Sequence, residues 1–394
     1  MFPVAHVLIL STCLLVVHRW AAGAFRSIAT RQRALAIVLG LIFCEEITTS
    51  WLARNWRNPV IDAVHTAGTV LVIALEIAAL PMVAARAAVW LVGLVRSRAG
   101  REQAPRLTPP PATQPDGLTR RQLVEGVGGV GAIGASGIVL GWGSLRGRHM
   151  FETCELPVRI PGLPRALDGY TIAQISDLHV GPHLDERDID AGFERVRKAR
   201  PDLVVVTGDI VDNDARLAPF IARRLADLPA RDGVAAILGN HDYYAGAGDV
   251  VAALRAAGVT VLVDDGRLVR AGDGGGFALL GVDDRWSTRY GRSGADFVRA
   301  AAAVPADVPR ILLSHQPQTV DRWAGRVALQ LSGHTHGGQI NPGFRPADFF
   351  FRYVAGAYTV SGTTLYVNRG FGTVGPPSRI GAPPEVTRIV LVAA

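Results

Sequence analysis

Residues 171–179 read TIAQISDLH, a run of buried-type residues that stops at two potential metal ligands, Asp177 and His179. The pattern recurs twice. Residues 203–209 read LVVVTGD and residues 234–242 read VAAILGNHD. Each run is short, apolar and without alternation, the pattern of a strand buried on both faces. Between them, residues 186–200 and 217–228 carry helical periodicity. This strand–helix–strand order predicts an α/β fold around a parallel sheet. Further strands are expected at 260–263, 276–281, 310–313, 328–331, 364–367 and 387–392, so residues 151–394 read as one α/β domain.

The polar clusters fall just beyond the C-terminal ends of these strands, where open α/β sheets place their ligands. Asp177 and His179 are two apart, which on an extended segment sends both side chains to one face. Asp209 follows Gly208, whose lack of a side chain allows close approach, and Asn240 ends the next strand. His315 follows the strand at 310–313. The strand at 328–331 leads into residues 332–339, SGHTHGGQ, in which His334 and His336 again have same-face spacing. Nitrogen and oxygen donors without thiolate suit Mn, Fe or Zn rather than Ca. Seven candidate ligands, Asp177, His179, Asp209, Asn240, His315, His334 and His336, are too many for one ion and suit two that share Asp209. Taken singly, each cluster has a bland explanation: a buried histidine in the core, or a turn in which Asn and Asp cap the next helix. Their conjunction, each after a strand, points to chemistry. Asp212, Asn213, Tyr243, Asp283 and Asp284 lie near the same rim but read equally as turn residues. Arg369 or Arg379 is a candidate clamp for an anionic group.

The chain has 394 residues, 49% hydrophobic and only 19% charged, with a mean hydropathy of +0.23. That balance is too apolar for disorder and implies that part of the chain sits in lipid. Three cysteines, Cys13, Cys44 and Cys154, are too far apart for a disulfide framework or a CxxC zinc site. Residues 1–150 hold 15 Arg against 7 acids, whereas residues 151–394 hold 26 basic and 27 acidic residues. The basic excess belongs to the membrane-proximal part, and no nucleic-acid-binding face is expected on the C-terminal domain.

Apolar stretches at 4–17, 34–52, 63–95 and 127–145 predict an all-α transmembrane region of about four helices. Three spans fill residues 1–104. Residues 105–121 form a proline-rich, arginine-containing linker, and residues 122–150 hold the fourth span. Arginines concentrate in the loops after the first and third spans, which orients the C-terminal domain to the extracytoplasmic side of a bacterial-type cell membrane. Thr119-Arg120-Arg121 ahead of a glycine-rich apolar stretch resembles a twin-arginine export signal, although paired arginines before any span also satisfy the positive-inside rule. Gly126, Gly128 and Gly131 match GxGxxG, but no strand precedes them, so close helix packing is expected rather than dinucleotide binding. Glu45, Glu46, His65 and Glu76 near or within the spans read as interfacial or packing residues before they read as markers of a pathway.

DLH, GD, GNHD, SH and GHTHGGQ, in this order and spacing, resemble the motifs of the calcineurin-like metallophosphoesterases. Residues 368–372 and 383–385 are similar to the membrane-associated YkuE/YaeI-like branch. The resemblance covers about residues 165–390. It implies a four-layered αββα sandwich. It also implies two divalent metal ions, one held by Asp177, His179, Asp209 and His336 and the other by Asp209, Asn240, His315 and His334. His241 matches the histidine that approaches the phosphate, with Asp242 placed to orient it. The implied activity is hydrolysis of a phosphodiester, pyrophosphate or phosphomonoester by a metal-bound hydroxide. A membrane anchor suggests a lipid or envelope-related substrate. The alternative from another class is a non-catalytic metal-binding scaffold or sensor.

Overall fold

A computed structural model of the chain describes residues 120–271 and 275–394, with scattered positions between 40 and 92. The chain divides into two compact units, Met1–Gly141 and Trp142–Ala394. In the first, the expected span at 4–17, most of those at 34–52 and 63–95, and the linker at 105–119 lie outside the described residues. Val64–Leu75 is a short apolar helix, and Val127–His149 is the one helix among the described residues long and apolar enough to cross a membrane. The described residues therefore support a single such helix rather than four. Helix α1 (Arg120–Leu145) is continuous, so Gly126, Gly128 and Gly131 lie inside a helix and form no phosphate-binding turn.

The second unit begins inside α1 because its last turn belongs to the domain that follows. Arg379 N–H donates to the Gly143 carbonyl at 3.2 Å, and a side chain at Gly143 or Gly147 would collide with Ser378 and Arg379. Two six-stranded sheets make up the unit. The first runs β1 (Glu152–Ile160), β12 (Glu385–Ala393), β2 (Thr171–Ile175), β3 (Leu203–Thr207), β4 (Val234–Ile237) and β5 (Thr260–Val261). From β2 to β5 the pairing is parallel, and β12 joins β2 antiparallel. The second runs β10 (Gly356–Val360), β11 (Thr363–Val367), β9 (Leu329–Ser332), β8 (Arg310–Leu313), β7 (Gly275–Gly281) and β6 (Asp265–Ala271).

The facing sides of the sheets share one core, in which Ile172, Val205 and Ile237 pack with Phe277, Leu279, Ile311 and Leu331. The far face of the first sheet is covered by α2 (Glu186–Ala199) and α3 (Ala218–Ala226), through Ile189, Phe193, Ile221 and Leu225. α2 starts where the Asp185 carboxylate accepts the Asp188 N–H at 2.9 Å, an N-cap that satisfies one of the free donors of the first turn. Phe297 and Trp323 cover the second sheet. These mixed α/β sheets fit the expected sandwich.

Three strands escaped the reading of the sequence: β1, β6 and β10. All three are edge strands. β1 carries Pro157 and alternates exposed with covered positions, and β10 does not bury one residue fully. An edge strand has one neighbour and a wet face, so it lacks the continuous apolar run that marks β2, β3 and β4.

Candidate metal centre

Five loops bring the predicted residues together, each leaving the C-terminal end of β2, β3, β4, β8 or β9. The route differs from the extended geometry expected for D-x-H and H-x-H. Asp177 and His179 have φ of 52° and 47°, Asp209 52°, and His334 and His336 74° and 52°. Left-handed backbone at a non-glycine residue is unfavourable and persists only where surrounding contacts over-determine it. Those contacts are present. Asp177 N–H donates to the Gly208 carbonyl at 2.9 Å and His179 N–H to the Asp209 carbonyl at 3.0 Å. His334 N–H donates to Asp177 Oδ1 at 2.9 Å. Gly208, at φ 92°, lets the β3 loop approach: a Cβ there would stand 2.7 Å from both Gly239 N and His315 Nδ1. Gly333 has no room for a side chain either, because Ser176 and Asp177 fill the space.

Three groups of donors result, Asp177/His179/His336, Asp209/His315/His334 and His179/Asp212/His241. In the first, His179 Nε2 faces His336 Nε2 at 3.0 Å, and Asp177 Oδ1 lies 3.5 Å from His336 Nε2. In the second, His315 Nε2 faces His334 Nδ1 at 3.2 Å. Asp209 Oδ2 stands between them, 3.5 Å from His179 Nε2 and 3.2 Å from His315 Nε2. Asn240 Oδ1 is buried and has no hydrogen-bond partner, an arrangement that costs about 1–3 kcal/mol unless something accepts its lone pairs. The Thr207 carbonyl can only accept, so His315 Nδ1 donates to it at 2.8 Å and Nε2 is the nitrogen that faces the site. Imidazole nitrogens aimed at one another, a carboxylate shared between them and an orphaned amide oxygen make a cradle that fits cations. The oxygen and nitrogen donors suit divalent first-row metals.

The electrostatics agree. Burial and the neighbouring His315 push His334 down to about 3. Burial, then His179 and Arg379, hold His336 well below the usual imidazole range. Both rings are therefore neutral, the form that ligates a metal. Burial opposes a charge on Asp209, but His315 and then His241 outweigh it and keep the carboxylate ionised.

His241 sits at the open side, and its backbone N–H donates to Asp209 Oδ1 at 2.8 Å. Its ring stands edge-on to His179 with centroids 4.5 Å apart. Burial works against its protonation, yet the charges of Asp209 and Asp212 lift it to about 9. Here the expected partner is corrected. Asp242 does not touch the ring: its carboxylate accepts the backbone N–H groups of Ile210, Val211 and Gly239 at 3.0, 3.1 and 2.9 Å. It fixes the β3 and β4 loops against each other. Asp212 takes the orienting position: its backbone carbonyl accepts from His241 Nδ1 at 3.0 Å, and its Oδ1 lies 3.0 Å from the same nitrogen and 3.3 Å from His179 Nδ1. Its signal in the sequence was the three-residue interval after Asp209, which returns the chain beneath the β4 loop.

The other rim residues have structural partners. Asn213 donates to Asp212 at 2.7 Å. Tyr243 donates to Asp283 at 2.5 Å, and Arg292 donates to the same carboxylate. Asp284 accepts from Gln316 at 2.6 Å. Neither candidate clamp is free. Arg369 is shared by Glu385 and Glu152. Arg379 is fully buried and donates to the carbonyls of Gly372, Arg369, His336 and Ala382.

The family model described as calcineurin-like phosphoesterase matches residues 170–338, which carry every one of these donor loops. The uncharacterized metallophosphoesterase YkuE of Bacillus subtilis is 33% identical over 285 residues, covering 70% of this chain and 98% of the relative. The chain belongs to the calcineurin-like phosphoesterase family. An uncharacterized metallophosphoesterase of Aquifex aeolicus is 34% identical over 56% of this chain and 84% of its own length. A transmembrane protein with metallophosphoesterase domain from Bos taurus is 34% identical over 61% of this chain, which spans 57% of that relative. Membership makes this a metal-dependent family with a phosphoester substrate, and the clustered His and Asp side chains are groups that could bind the metal.

Proposed function

We propose that the chain is a membrane-anchored phosphohydrolase with two divalent metal ions, acting on a phosphodiester, pyrophosphate or phosphomonoester, with a lipid or envelope-related compound as its substrate. One observation carries the reading: Asp209 Oδ2 faces a donor of each histidine group at once. In this reading Asp177, His179, Asp209 and His336 hold one ion, and Asp209, Asn240, His315 and His334 hold the other. Such ions would neutralise phosphate oxygens and acidify a water.

The chain's own residues supply the rest. His241 has its Nδ1 engaged by Asp212, which leaves Nε2–H to bind a phosphate oxygen and to hand a proton to the departing oxygen. A positioned acid of this kind contributes about 10²- to 10⁴-fold. Asp212 keeps the ring in that orientation, and Asp242 keeps the two loops in register. Val127–His149, long and apolar enough to span a bilayer, supports anchoring, and the arginine distribution supports an extracytoplasmic site.

Hydrolysis of bis-p-nitrophenyl phosphate by the full chain in detergent, with Mn²⁺ added to metal-stripped protein, tests this. Release of p-nitrophenol that depends on the metal and disappears in Asp209→Ala is expected. Silence with Mn²⁺, Fe²⁺ and Zn²⁺ alike leaves a non-catalytic metal-binding scaffold as the better account. A C-terminal alkaline phosphatase fusion reads the sidedness: activity places the domain outside the cytoplasm, and its absence reverses the orientation.

A further inference from the structure

The exposed large apolar side chains of the unit Trp142–Ala394 fall mostly in two groups. Trp142, Leu145 and Met150 mark the end of α1, and Phe344, Phe349 and Phe350 mark the loop at 341–352, the last two 80% and 82% exposed. Soluble surfaces scatter such residues singly, so a cluster marks an interaction face.

The loop is not a floppy excursion. Phe350 and Phe351 N–H groups both donate to the Ala347 carbonyl, at 3.0 and 2.9 Å, and Arg345 pairs with Asp348 at 2.7 Å. Beyond it, Thr335 Oγ1 donates to the Val354 carbonyl and Tyr353 donates to Asp321 at 2.7 Å. The phenylalanines are thus presented outward on a turn with fixed ends. Phe351, next in the chain, lies edge-on to the His334 ring with centroids 6.3 Å apart, so the turn forms one lip of the candidate metal centre.

One strap joins the two groups. Arg379 donates to Gly143 in the last turn of α1. Ile380 bridges to Ile340, Asn341 N–H donates to the Ile380 carbonyl at 2.8 Å, and Asn341 Nδ2 donates to the Gly381 carbonyl at 3.2 Å. Asn341 is where the aromatic loop starts. The segment that seats the end of the apolar helix therefore also seats the phenylalanines. Arg345 and Arg352 flank them, each paired with a carboxylate, Asp348 and Asp321, so the rim of the apolar turn is polar, as at the interfacial level of a bilayer.

We propose that Phe344, Phe349 and Phe350 enter the lipid interface of the membrane that α1 crosses, and so hold the mouth beside His334 at the bilayer surface. The partner is the lipid itself. This rests on the reading that α1 spans a membrane and is independent of whether the centre hydrolyses anything.

The full chain, with Cys13, Cys44 and Cys154 replaced by serine, is given one new cysteine, Phe350→Cys, Ile138→Cys or Val298→Cys. Each is labelled with an environment-sensitive NBD dye and reconstituted in phosphatidylcholine–phosphatidylglycerol vesicles with or without doxyl-labelled lipid. Ile138 is 75% exposed within α1, and Val298 is 71% exposed on the helix Phe297–Ala302. That helix packs on β6 and β7, at the sheet edge opposite β10. The expected result is a blue shift and loss of emission to the doxyl lipid at 138 and 350, with neither at 298. Quenching at 138 with none at 350 overturns the docking loop while leaving the anchor. No quenching at 138 overturns both. Equal quenching at 350 and 298 also overturns it, because contact would then be unspecific. Phe349→Cys, read the same way, guards against a local effect at 350.

Discussion

The connection from β9 to β10 contains two loops of opposite character. Residues 333–340 carry His334 and His336, run through left-handed backbone and are held by partners far away in sequence: His334 by Asp177, His336 by His179 and Arg379. Residues 341–352 make mostly local bonds and turn three phenylalanines to solvent. The first loop has its shape imposed by the rest of the domain, and the second shapes itself and offers a surface. Chemistry needs the former, because donors must converge within ångströms whatever the backbone cost. A docking face needs only to be stiff and outward.

Substitutions put that contrast to the test. The largest effect is expected for Asp209→Ala, which removes the carboxylate common to both histidine groups: kcat/KM on bis-p-nitrophenyl phosphate should fall by at least about 10³-fold, roughly 4 kcal/mol. Bound metal, counted by elemental analysis of loaded protein, should fall with it. A variant that keeps two ions and full activity removes Asp209 from the bridge.

His241→Ala should cost about 10²- to 10⁴-fold in kcat while leaving the metal content alone. Loss of metal in that variant would make His241 a ligand rather than a proton donor. Asp212→Asn comes next, since it retains the shape but weakens the hold on His241 and His179; about 10- to 100-fold in activity is expected, as for residues that orient a site at one remove. Asp212→Asn indistinguishable from wild type, with His241→Ala strongly impaired, would mean the ring needs no carboxylate to orient it. The double variant Phe349→Ser/Phe350→Ser should change the melting temperature little, within about 0.5 kcal/mol as for surface sites. It should leave activity on the soluble ester intact. A collapse in stability would show those side chains to be part of a core.

How much of this was legible in advance varies residue by residue. Ile172, Val205 and Ile237 announced their strands, because a strand buried on both faces is apolar at every position. β1, β6 and β10 did not, since an edge strand alternates and admits Pro157. That these seven residues converge is legible from their type and place, but the reason their side chains meet is not: D-x-H and H-x-H converge through positive φ, not through extended alternation. Asp242 looked the better partner for His241 because it is adjacent, and adjacency says little about a side chain whose oxygens are already engaged by Ile210, Val211 and Gly239 N–H groups.

Local patterning alone settled the alternation of central strands and helices, the polar residues at their ends and the apolar stretch ahead of the domain, since burial and periodicity are properties of neighbouring residues. Which side chains face one another was decided only in three dimensions. His179 and His336 meet across 157 residues, and their approach depends on two sheets packing face to face, on loops bent into left-handed turns and on glycines that leave the room. No run of neighbouring residues contains that information, because the forces that set it come from contacts the chain makes only once it is folded.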